Sequence, residues 1–278
     1  MFRTPVAWAS SGTAPRERSS VSLRSEFRHE VAEGLRSHPS KAGVVAESDL
    51  APLPPAVQRY LRVAGAVGKP YVWNYRLRFR GKIRTGPDSR WMKMEADQQS
   101  FVEPAARLFL MKASMFGLPV AAFHRYVGPE ATFRVRVASL LTVVDARGAE
   151  MNRGETVTLL NDMCLLAPAT LVDPRFGWEE LDPLTVRVTF ANAGNNVSAV
   201  LSFDRSGALA NFTSDDRYRT VDGKTYERLP WSTPIQAWRT FDGTTLPAVA
   251  ETAWHEQDRE YAYGRFEVVS IAYNVGPG

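Results

Sequence analysis

The sequence predicts a mainly β (α+β) fold: a strongly curved antiparallel half-barrel of about a dozen strands, with one central helix on the concave side. Three observations support this prediction. From residue 70 onward, most of the chain alternates apolar and polar residues with the two-residue period of a strand that buries one face. Turns rich in glycine, asparagine and aspartate separate these runs at short spacing, which is typical of an antiparallel meander. Residues 152–167 break the pattern and have the spacing of a helix.

Length and composition set the limits of this fold. The chain has 278 residues, of which 44% are hydrophobic and 11% aromatic, enough to bury a sizeable core. Residues 1–22 are rich in Ser, Thr, Pro, Ala and Arg without periodicity, which predicts disorder. Residues 25–37 place Phe27, Val31 and Leu35 at helical spacing. We therefore expect a disordered or partly helical extension over 1–48, followed by a single curved β-sheet domain over 49–278.

Charge and cysteine content exclude several classes of protein. The net charge is +4, but seven Lys or Arg against four Glu lie in residues 1–46, so the remainder is close to neutral. A nearly neutral domain gives no electrostatic reason to expect nucleic-acid binding. The single cysteine excludes an internal disulfide, and no apolar run reaches the roughly 18 residues that a membrane span needs. The N-terminus also lacks the apolar region of a secretory signal, so we expect a soluble, cytoplasmic protein.

The first elements of the domain follow from proline placement and alternation. Pro54 and Pro55 suit the first turn of a helix of about 10 residues, which buries Tyr60 and ends at Gly65. Residues 71–80 then alternate as a strand, and a hairpin partner begins near residue 92. We expect further strands over 106–113, 120–127, 131–140, 178–181, 184–192, 196–204, 209–215, 224–229, 233–242, 245–255 and 261–273, whereas residues 141–146 form an apolar segment that leads to the helix. So many antiparallel strands cannot stay flat because each pair adds twist, so the sheet must curl or close.

The central helix is predicted from its own spacing. Asn152 and Glu155 have the spacing of a capping box, and Pro168 ends the helix because it lacks an N–H. Glu155 and Asp162 are seven residues apart, close to two turns, so both project from one side. A helix packed into a curved sheet leaves an apolar cavity, and such a cavity suits an apolar ligand with a few polar contacts.

Several motifs resemble a widespread bacterial family that is known as a conserved domain of unknown function. They are L-P-P-A-V-Q-R-Y-L (53–61), V-V-D-A-R-G (143–148), G-E-T-V-T-L-L-N-D-M-C-L-L-A-P-A-T-L-V (154–172), S-D-D-R-Y (214–218), P-W-S-T-P (230–234), L-P-A-V-A-E-T-A-W-H (246–255) and Y-G-R-F-E (263–267). The resemblance spans roughly residues 49–273 and implies no assigned reaction. A more distant, fold-level similarity connects the chain to the LolA and LppX lipoprotein carriers, half-barrels that hold acyl chains. The missing export signal is a departure from those carriers.

Acidic residues supply the candidate catalytic groups, Glu155, Asp162 and Asp216. If Asp162 and Asp216 converge in a dry pocket, one holds its proton near neutral pH and acts as a general acid beside a general base. The competing interpretation is structural: Glu155 caps the helix, Asp162 is solvated, and Asp216 pairs with arginine to join strand and turn. We expect ligand contacts from Asn161, Cys164, Arg217, Tyr218, Trp231, Trp254 and Tyr263. Here too a structural role is open, since buried cysteine and aromatic residues often only fill a core.

Metal and cofactor motifs give no positive signal. The chain has no P-loop, dinucleotide-binding, zinc-protease or nucleophile-elbow motif. His124, His255 and Glu256 are the only domain residues that suggest a His/His/carboxylate site, and nothing in the sequence places the two imidazoles together. We therefore expect no metal and no cofactor.

Two functions remain open at this stage. The first is binding of a hydrophobic small molecule, lipid or acyl chain between sheet and helix. The alternative is an isomerase, cyclase or lyase that uses Glu155, Asp162 and Asp216 for proton transfer in the same pocket. A third interpretation is a scaffold whose aromatic surface binds a partner protein.

Overall fold

The computed structural model describes residues 22–37, 42–115 and 117–277. Four α-helices are present in this part of the chain: α1 (Leu23–Ser37), α2 (Glu47–Leu50), α3 (Pro55–Val63) and α4 (Ala149–Leu166). A 3₁₀ helix over Pro168–Val172 follows α4 directly, because a proline is tolerated in a first helical turn and not in the interior of α4. The prediction of disorder applies to residues 1–22, and residues 1–21 lie outside the described residues.

The described residues contain sixteen strands, most of them joined by short turns. They are β1 (Asn74–Ile83), β2 (Met92–Val102), β3 (Ala105–Met115), β4 (Leu118–Val127), β5 (Glu130–Val137), β6 (Leu141–Arg147), β7 (Phe176–Asp182), β8 (Thr185–Asn192), β9 (Asn195–Phe203), β10 (Leu209–Ser214), β11 (Tyr218–Arg219), β12 (Glu227–Arg228), β13 (Trp231–Ser232), β14 (Ile235–Phe241), β15 (Thr244–His255) and β16 (Glu260–Tyr273). Thirteen of them form one antiparallel sheet in the order β6-β5-β4-β3-β2-β1-β16-β15-β13-β10-β9-β8-β7, and β14 pairs with β15 beside β13. Only β11 and β12 form a separate two-stranded ribbon among the described strands.

The sheet curls around α4. The helix contacts β5 and β6 from one end of the strand order, β9 and β10 from the other, and β15 from the middle. A flat sheet could not bring its two ends to the same helix, so these contacts require strong curvature. The predicted fold class, a mainly β antiparallel half-barrel with a helix on the concave side, is confirmed.

Burial on every side distinguishes α4 from an ordinary surface helix. Fourteen of its eighteen residues are buried, including Glu155, Asn161 and Asp162. A helix surrounded in this way carries no solvent-exposed face, and polar groups on it need partners inside the protein.

The start of α4 differs from the prediction. The helix begins at Ala149 after Gly148, whose φ of 109° lets the chain turn out of β6 into the helix. Asn152 therefore lies inside the first turns instead of capping them, and its Oδ1 accepts a hydrogen bond from the Ala131 N–H at 2.7 Å. The capping-box prediction for Asn152 and Glu155 is wrong, since both side chains are used in tertiary contacts.

Two predicted strands are shorter than expected. The run at 224–229 forms only the short β12, and β10 ends at Ser214. Residues 215–217 are consequently not in a strand, so the predicted alternation of faces does not apply there.

The convex face of the sheet carries α1. Leu23 and Leu35 of this helix join a second apolar cluster with Trp73, Phe101 and Phe123. Glu26 and Glu30 form ion pairs with Arg134 and Arg125 of the sheet. The helix predicted over 25–37 is thus present and packs on the face opposite the main core.

Candidate functional site

The space between α4 and the sheet holds a cavity with two adjoining lobes. The inner lobe has a volume of about 150 Å³ and the outer lobe about 420 Å³. Small-molecule sites usually occupy about 300–1,000 Å³. Both lobes are lined by Phe133, Glu155, His124, Arg217 and Tyr263, which mark their junction.

Most of the cavity wall is apolar. The inner lobe is lined by side chains such as Phe79, Phe109, Leu165, Leu166, Phe266 and Val268. The outer lobe adds Met92, Val120, Val135, Val137, Val144 and Tyr261. The lining of the outer lobe also includes Val143 and Val221, which are 47% and 69% exposed, so this lobe reaches the protein surface.

A polar cluster, defined by Gln98, Arg107, His124, Glu155, Asp162 and Arg217, interrupts the apolar lining. Arg107 lies between the two carboxylates of α4. Its Nε donates to Asp162 Oδ2 at 2.6 Å and its Nη1 donates to Glu155 Oε2 at 3.3 Å. Gln98 completes the arrangement, since its Nε2 donates to the same Asp162 oxygen at 2.9 Å. The seven-residue spacing does place Glu155 and Asp162 on one side of the helix, as predicted, and a buried guanidinium joins them.

The electrostatics favour Glu155 as an ionised carboxylate. Burial alone raises the pKa of this carboxyl group, but His124, Arg217 and Arg107 outweigh burial and hold the pKa well below its ordinary value of 4.5. Thr158 adds a weaker contact from its Oγ1 to Glu155 Oε1 at 3.4 Å. Glu155 is therefore an anion at neutral pH and not a proton donor.

His124 lies beside Glu155 without a well-formed hydrogen bond. Its Nδ1 is 3.3 Å from Glu155 Oε1, and the ring stacks on Phe133 with centroids 3.9 Å apart. Among the described residues, this nitrogen has no hydrogen-bond partner. Burial lowers the pKa of His124 further than the nearby carboxylate raises it.

Arg217 approaches the same carboxylate from the segment between β10 and β11. Its Nη1 donates to the Gly154 carbonyl at 2.8 Å and lies 3.4 Å from Glu155 Oε1. The guanidinium carbon lies 4.9 Å from the centre of the Trp231 ring and 5.9 Å from that of Trp254. This residue therefore connects the polar cluster to the aromatic wall.

The predicted aromatic residues form that wall. Trp254 and Tyr263 stack with ring centroids 5.6 Å apart, and the indole N–H of Trp231 donates to the Tyr263 hydroxyl at 3.0 Å. Tyr218 lines the outer lobe. On the inner side, Asn161 Nδ2 donates to Thr233 Oγ1 at 3.1 Å. The structure thus brings six of the seven predicted ligand-contact residues, together with Glu155 and Asp162, close to one cavity, with one exception.

That exception is Cys164. It is buried but absent from both cavity linings, and its carbonyl accepts a hydrogen bond from the Tyr60 hydroxyl of α3 at 2.7 Å. Burial raises the pKa of the thiol, so the thiolate is disfavoured. Cys164 has the role of a small core residue, because it lies on the side of α4 that faces α3.

Asp216 also lies outside both linings. Its Oδ1 accepts hydrogen bonds from Arg153 at 2.6 Å and Arg228 at 2.8 Å, and its Oδ2 accepts from the Ser198 N–H at 2.9 Å. The expected convergence of Asp162 and Asp216 does not occur, because the chain at 215–217 has left the strand and directs Arg217, not Asp216, into the cavity. The competing interpretation, an Asp–Arg pair between structural elements, describes Asp216 correctly.

The positions of Asp162 and Asp216 do not support the alternative hypothesis of acid–base catalysis. It required two carboxylates that repel each other in a dry pocket, so that one retains its proton. Asp162 instead binds Arg107 and Gln98, and Asp216 binds two arginines elsewhere. No geometry in the cavity favours the isomerase, cyclase or lyase hypothesis.

Sequence reasoning missed Arg107 and Gln98 and considered His124 only as a metal ligand, although the strand pattern indicated Arg107. In β3, Arg107 alternates onto the same face as Phe109 and Met111, and a charged residue on an apolar face requires a buried partner. The sequence could flag Arg107 in this way, but it could not identify which carboxylate lay opposite.

The described residues contain neither a metal-binding cluster nor a membrane-spanning helix. Within 22–37, 42–115 and 117–277 no group of three or more His, Cys, Asp or Glu could hold a metal ion. His124 lies beside Glu155, whereas His255 pairs with Ser232 and Glu260. None of the helices described is long and apolar enough to cross a membrane.

Several solved structures show distant similarity. A DUF1329 family protein from Desulfovibrio piger is 12% identical, with 84% of this chain and 95% of that chain covered and a TM-score of 0.43. A LolA superfamily protein from Nitrosomonas europaea is 9% identical over 84% and 96% of the two chains, with a TM-score of 0.42. A putative outer membrane lipoprotein-sorting protein domain from Vibrio parahaemolyticus is 10% identical over 73% and 86%, with a TM-score of 0.37. Similarity at this level says nothing about the ligand.

Comparison of sequences gives a clearer result. No curated protein matches the chain. One family model, described as a family of unknown function (DUF6544), matches residues 43–266, which is most of the chain and nearly all of the sheet. The family suspected from the sequence motifs is thus confirmed, and the chain belongs to DUF6544, a family of unknown function.

Proposed function

We propose that the protein binds a hydrophobic small molecule or an acyl chain in the two-lobed cavity between α4 and the curved sheet. The observation that carries this proposal is the lining itself. It is apolar over most of its area, has aromatic rings at the junction, and contains a few convergent polar groups. The lobes together extend from the buried side of α4 to the surface near Val221, which suits an elongated molecule.

The proposal requires that an apolar ligand in the cavity has a lower free energy than the water it displaces. Apolar surface transferred from water contributes about 25 cal/mol per Å², so a chain of several methylene groups gains several kcal/mol on entry. The ion pairs of Arg107 are already formed within the protein, so they do not depend on water in the cavity. An apolar ligand can therefore displace that water without breaking them.

Two measurements test this function. Native mass spectrometry of the purified protein, followed by extraction into organic solvent, should show a co-purifying apolar compound. Titration of the delipidated protein with a fluorescent acyl probe should give saturable binding, with quenching of Trp231 and Trp254 in the cavity wall.

A cavity-filling variant provides the specific control. Ala250→Phe places a ring in the inner lobe and should weaken probe binding by about tenfold or more, a loss of at least ~1.4 kcal/mol. Ala237→Phe, an exposed position on the neighbouring β14, should leave binding unchanged. Equal binding by both variants, with their folding confirmed by circular dichroism, would place the probe outside the cavity and contradict the proposal.

A further inference from the structure

We infer that the protein has a second binding site, which takes an acidic peptide segment of a partner protein. The site is a groove between α1 and the convex face of the sheet. We call it the basic groove because four arginines line it: Arg28 and Arg36 of α1, and Arg76 and Arg78 of β1. The cavity lies on the other face of the sheet, so this inference does not depend on the proposed function.

The basic groove is large enough for several residues of a bound chain. Its volume of about 620 Å³ exceeds that of either lobe of the cavity and lies within the usual range of ligand sites. Its β1 wall faces solvent, because Arg76 and Arg78 are exposed and alternate with the buried Leu77. A ligand can therefore enter the groove without any movement of the sheet.

The charges in the groove are unbalanced. Among the residues that line it, the four arginines face a single carboxylate, that of Asp97. Asp97 lies 3.3 Å from Arg78 Nε, and Arg78 is 71% exposed, so this ion pair is weak. Glu33 lies outside the lining and pairs with Arg36, also at an exposed position. Even with Glu33 included, positive charges outnumber negative ones by two, whereas the domain as a whole is nearly neutral.

Arg28 and Arg76 carry this excess charge. Neither side chain has an ion-pair partner in the part of the chain that the structure describes, and the Nε of Arg76 donates to the neutral amide oxygen of Gln99 at 3.2 Å. A guanidinium group presents several donors in a plane and binds a carboxylate through two parallel hydrogen bonds. Both arginines can thus bind a ligand carboxylate without first breaking an ion pair of the protein.

Apolar side chains lie beside the arginines on α1. Arg28 and Arg36 are eight residues apart, about two helical turns, so they project from one side of α1 with Ala32 between them. The half-buried Val31 and the buried Leu35 also line the groove and pack on the sheet. This combination suits a ligand that carries both acidic and apolar side chains, and not a simple inorganic anion.

The spacing of the arginines on β1 favours an extended peptide. Arg76 and Arg78 project from the same face of the strand, about 7 Å apart. Side chains two residues apart in an extended peptide have the same separation, so acidic residues at alternate positions can each meet one of these guanidinium groups. Clusters of arginine are a recurrent means of binding acidic motifs.

Other occupants fit the groove less well. A bilayer surface is flat and does not reach the floor of a groove. Single-stranded RNA is bound largely by stacking on aromatic rings, but Phe27 is the only aromatic residue in this lining, and its ring packs edge-on against Phe123 with centroids 6.0 Å apart. Residues 1–21 and 38–41 of the chain itself contain four Lys or Arg and one Glu, so they do not supply an acidic segment.

A labelled pentapeptide tests the inference on the full-length protein. Fluorescence anisotropy at pH 7.5 should show saturable binding of fluorescein-labelled Glu-Leu-Glu-Leu-Glu, and the affinity should fall as the salt concentration rises. Replacement of the three glutamates of the peptide by glutamine should weaken binding at least tenfold. Absence of binding, or equal binding of the glutamine peptide, would overturn the inference. Tighter binding of a single-stranded RNA pentamer in competition with the peptide would assign the groove to nucleic acid and overturn it as well.

Paired variants assign the binding to the groove. Arg28→Gln/Arg76→Gln should weaken binding of the acidic peptide about tenfold or more, and circular dichroism should show an unchanged fold, since neither arginine forms an ion pair within the described residues. Arg90→Gln/Arg205→Gln removes the same charge from two exposed positions outside the groove and should bind like the unmodified protein. Equal affinities of the two double variants would contradict the inference. Binding that is lost in Ala250→Phe but kept in Arg28→Gln/Arg76→Gln would place the peptide in the cavity, with the same consequence.

Discussion

At the scale of single residues, Arg107 decides the chemistry of the cavity. It is buried on β3 and bridges two carboxylates that lie about two turns apart on α4. Removal of one partner from a buried ion pair leaves an uncompensated charge, and the cost exceeds the net value of the pair itself. The stability of the cavity therefore depends on this one guanidinium.

Arg107→Met should consequently lower the free energy of unfolding by about 3–5 kcal/mol, because Glu155 and Asp162 would both lose their shared cation. Urea denaturation measures the difference. Arg78→Met is the matched control, since Arg78 is 71% exposed and pairs with Asp97 on the surface of the sheet. A loss no larger in Arg107→Met than in this control would show that the bridge is not needed for stability.

The second residue-scale prediction concerns pH. The pKa of Glu155 in the folded protein lies below its ordinary value of 4.5, so its contribution to stability is fully present above pH 4.5 and is lost as the pH falls below that value. Glu155→Gln should thus be less stable than the unmodified protein by about 2 kcal/mol at pH 7. The gap should narrow as the pH is lowered from 4.5 towards 3.

Urea denaturation at pH 7, 5.5, 4 and 3 measures the difference in stability between the unmodified protein and Glu155→Gln. Glu179→Gln, at a position 60% exposed, should show no gap that changes with pH. A gap that stays constant for Glu155→Gln down to pH 3 would argue against an ionised, ion-paired Glu155.

At the scale of elements, a glycine in α4 and a glycine in β1 differ in the space available for an added side chain. Gly154 lies in α4 next to Arg217, whereas Gly81 lies in β1 opposite β16. A Cβ on Gly154 would be 3.6 Å from Arg217 Nη1 and from the Tyr218 backbone nitrogen, an ordinary contact. A Cβ on Gly81 would be 1.9 Å from the Arg265 carbonyl oxygen, a severe overlap with backbone.

The two glycines should therefore respond in opposite directions to substitution. Gly154→Ala should raise the free energy of unfolding by about 0.5–1 kcal/mol, because alanine loses less backbone entropy in a helix. Gly81→Ala should lower it by about 1–3 kcal/mol or more, because the strands must separate. Thermal and urea unfolding of the two variants checks the signs, and destabilisation of Gly154→Ala would mean that the packing between α4 and Arg217 is tighter than the structure shows.

At the scale of the whole molecule, the two faces of the sheet have different roles. The concave face surrounds α4 and the cavity, and the convex face holds α1 through Leu23, Leu35 and two ion pairs. The family match begins at residue 43, so α1 lies before the part of the chain that defines the family. The boundary expected between residues 48 and 49 and the cytoplasmic location both stay predictions.

A substitution in α1 should accordingly leave the cavity intact. Leu35→Asp places a charge in the apolar contact with the sheet and should increase hydrogen exchange across residues 23–37, without a change at 149–166. His29→Asp adds the same charge on the exposed side of α1 and should have little effect. Faster exchange in α4 of Leu35→Asp would show that the two faces are coupled.

Sequence patterns predicted the elements and much of the cavity, but not its polar contacts. Two-residue alternation and turn chemistry predicted most strands, and helical spacing placed Glu155 and Asp162 on one side of α4, because these are properties of neighbours in the chain. Asn152 and Asp216 were assigned the wrong contacts for the complementary reason: the start of α4 and the end of β10 depend on packing against distant segments. Arg107 meets α4 only through the register of β2, β3 and β4 and the curl of the sheet.

The sequence by itself therefore determined a curled antiparallel sheet, a buried central helix with two carboxylates on one side, and membership of its family. Only the tertiary structure decided that a guanidinium bridges those carboxylates, that Cys164 faces α3, and that Arg217 lines the cavity beside Glu155. The physical reason is that local periodicity follows from backbone geometry within a few residues, whereas ion pairing and hydrogen bonding inside a cavity depend on groups that meet across 48 to 62 positions of the chain.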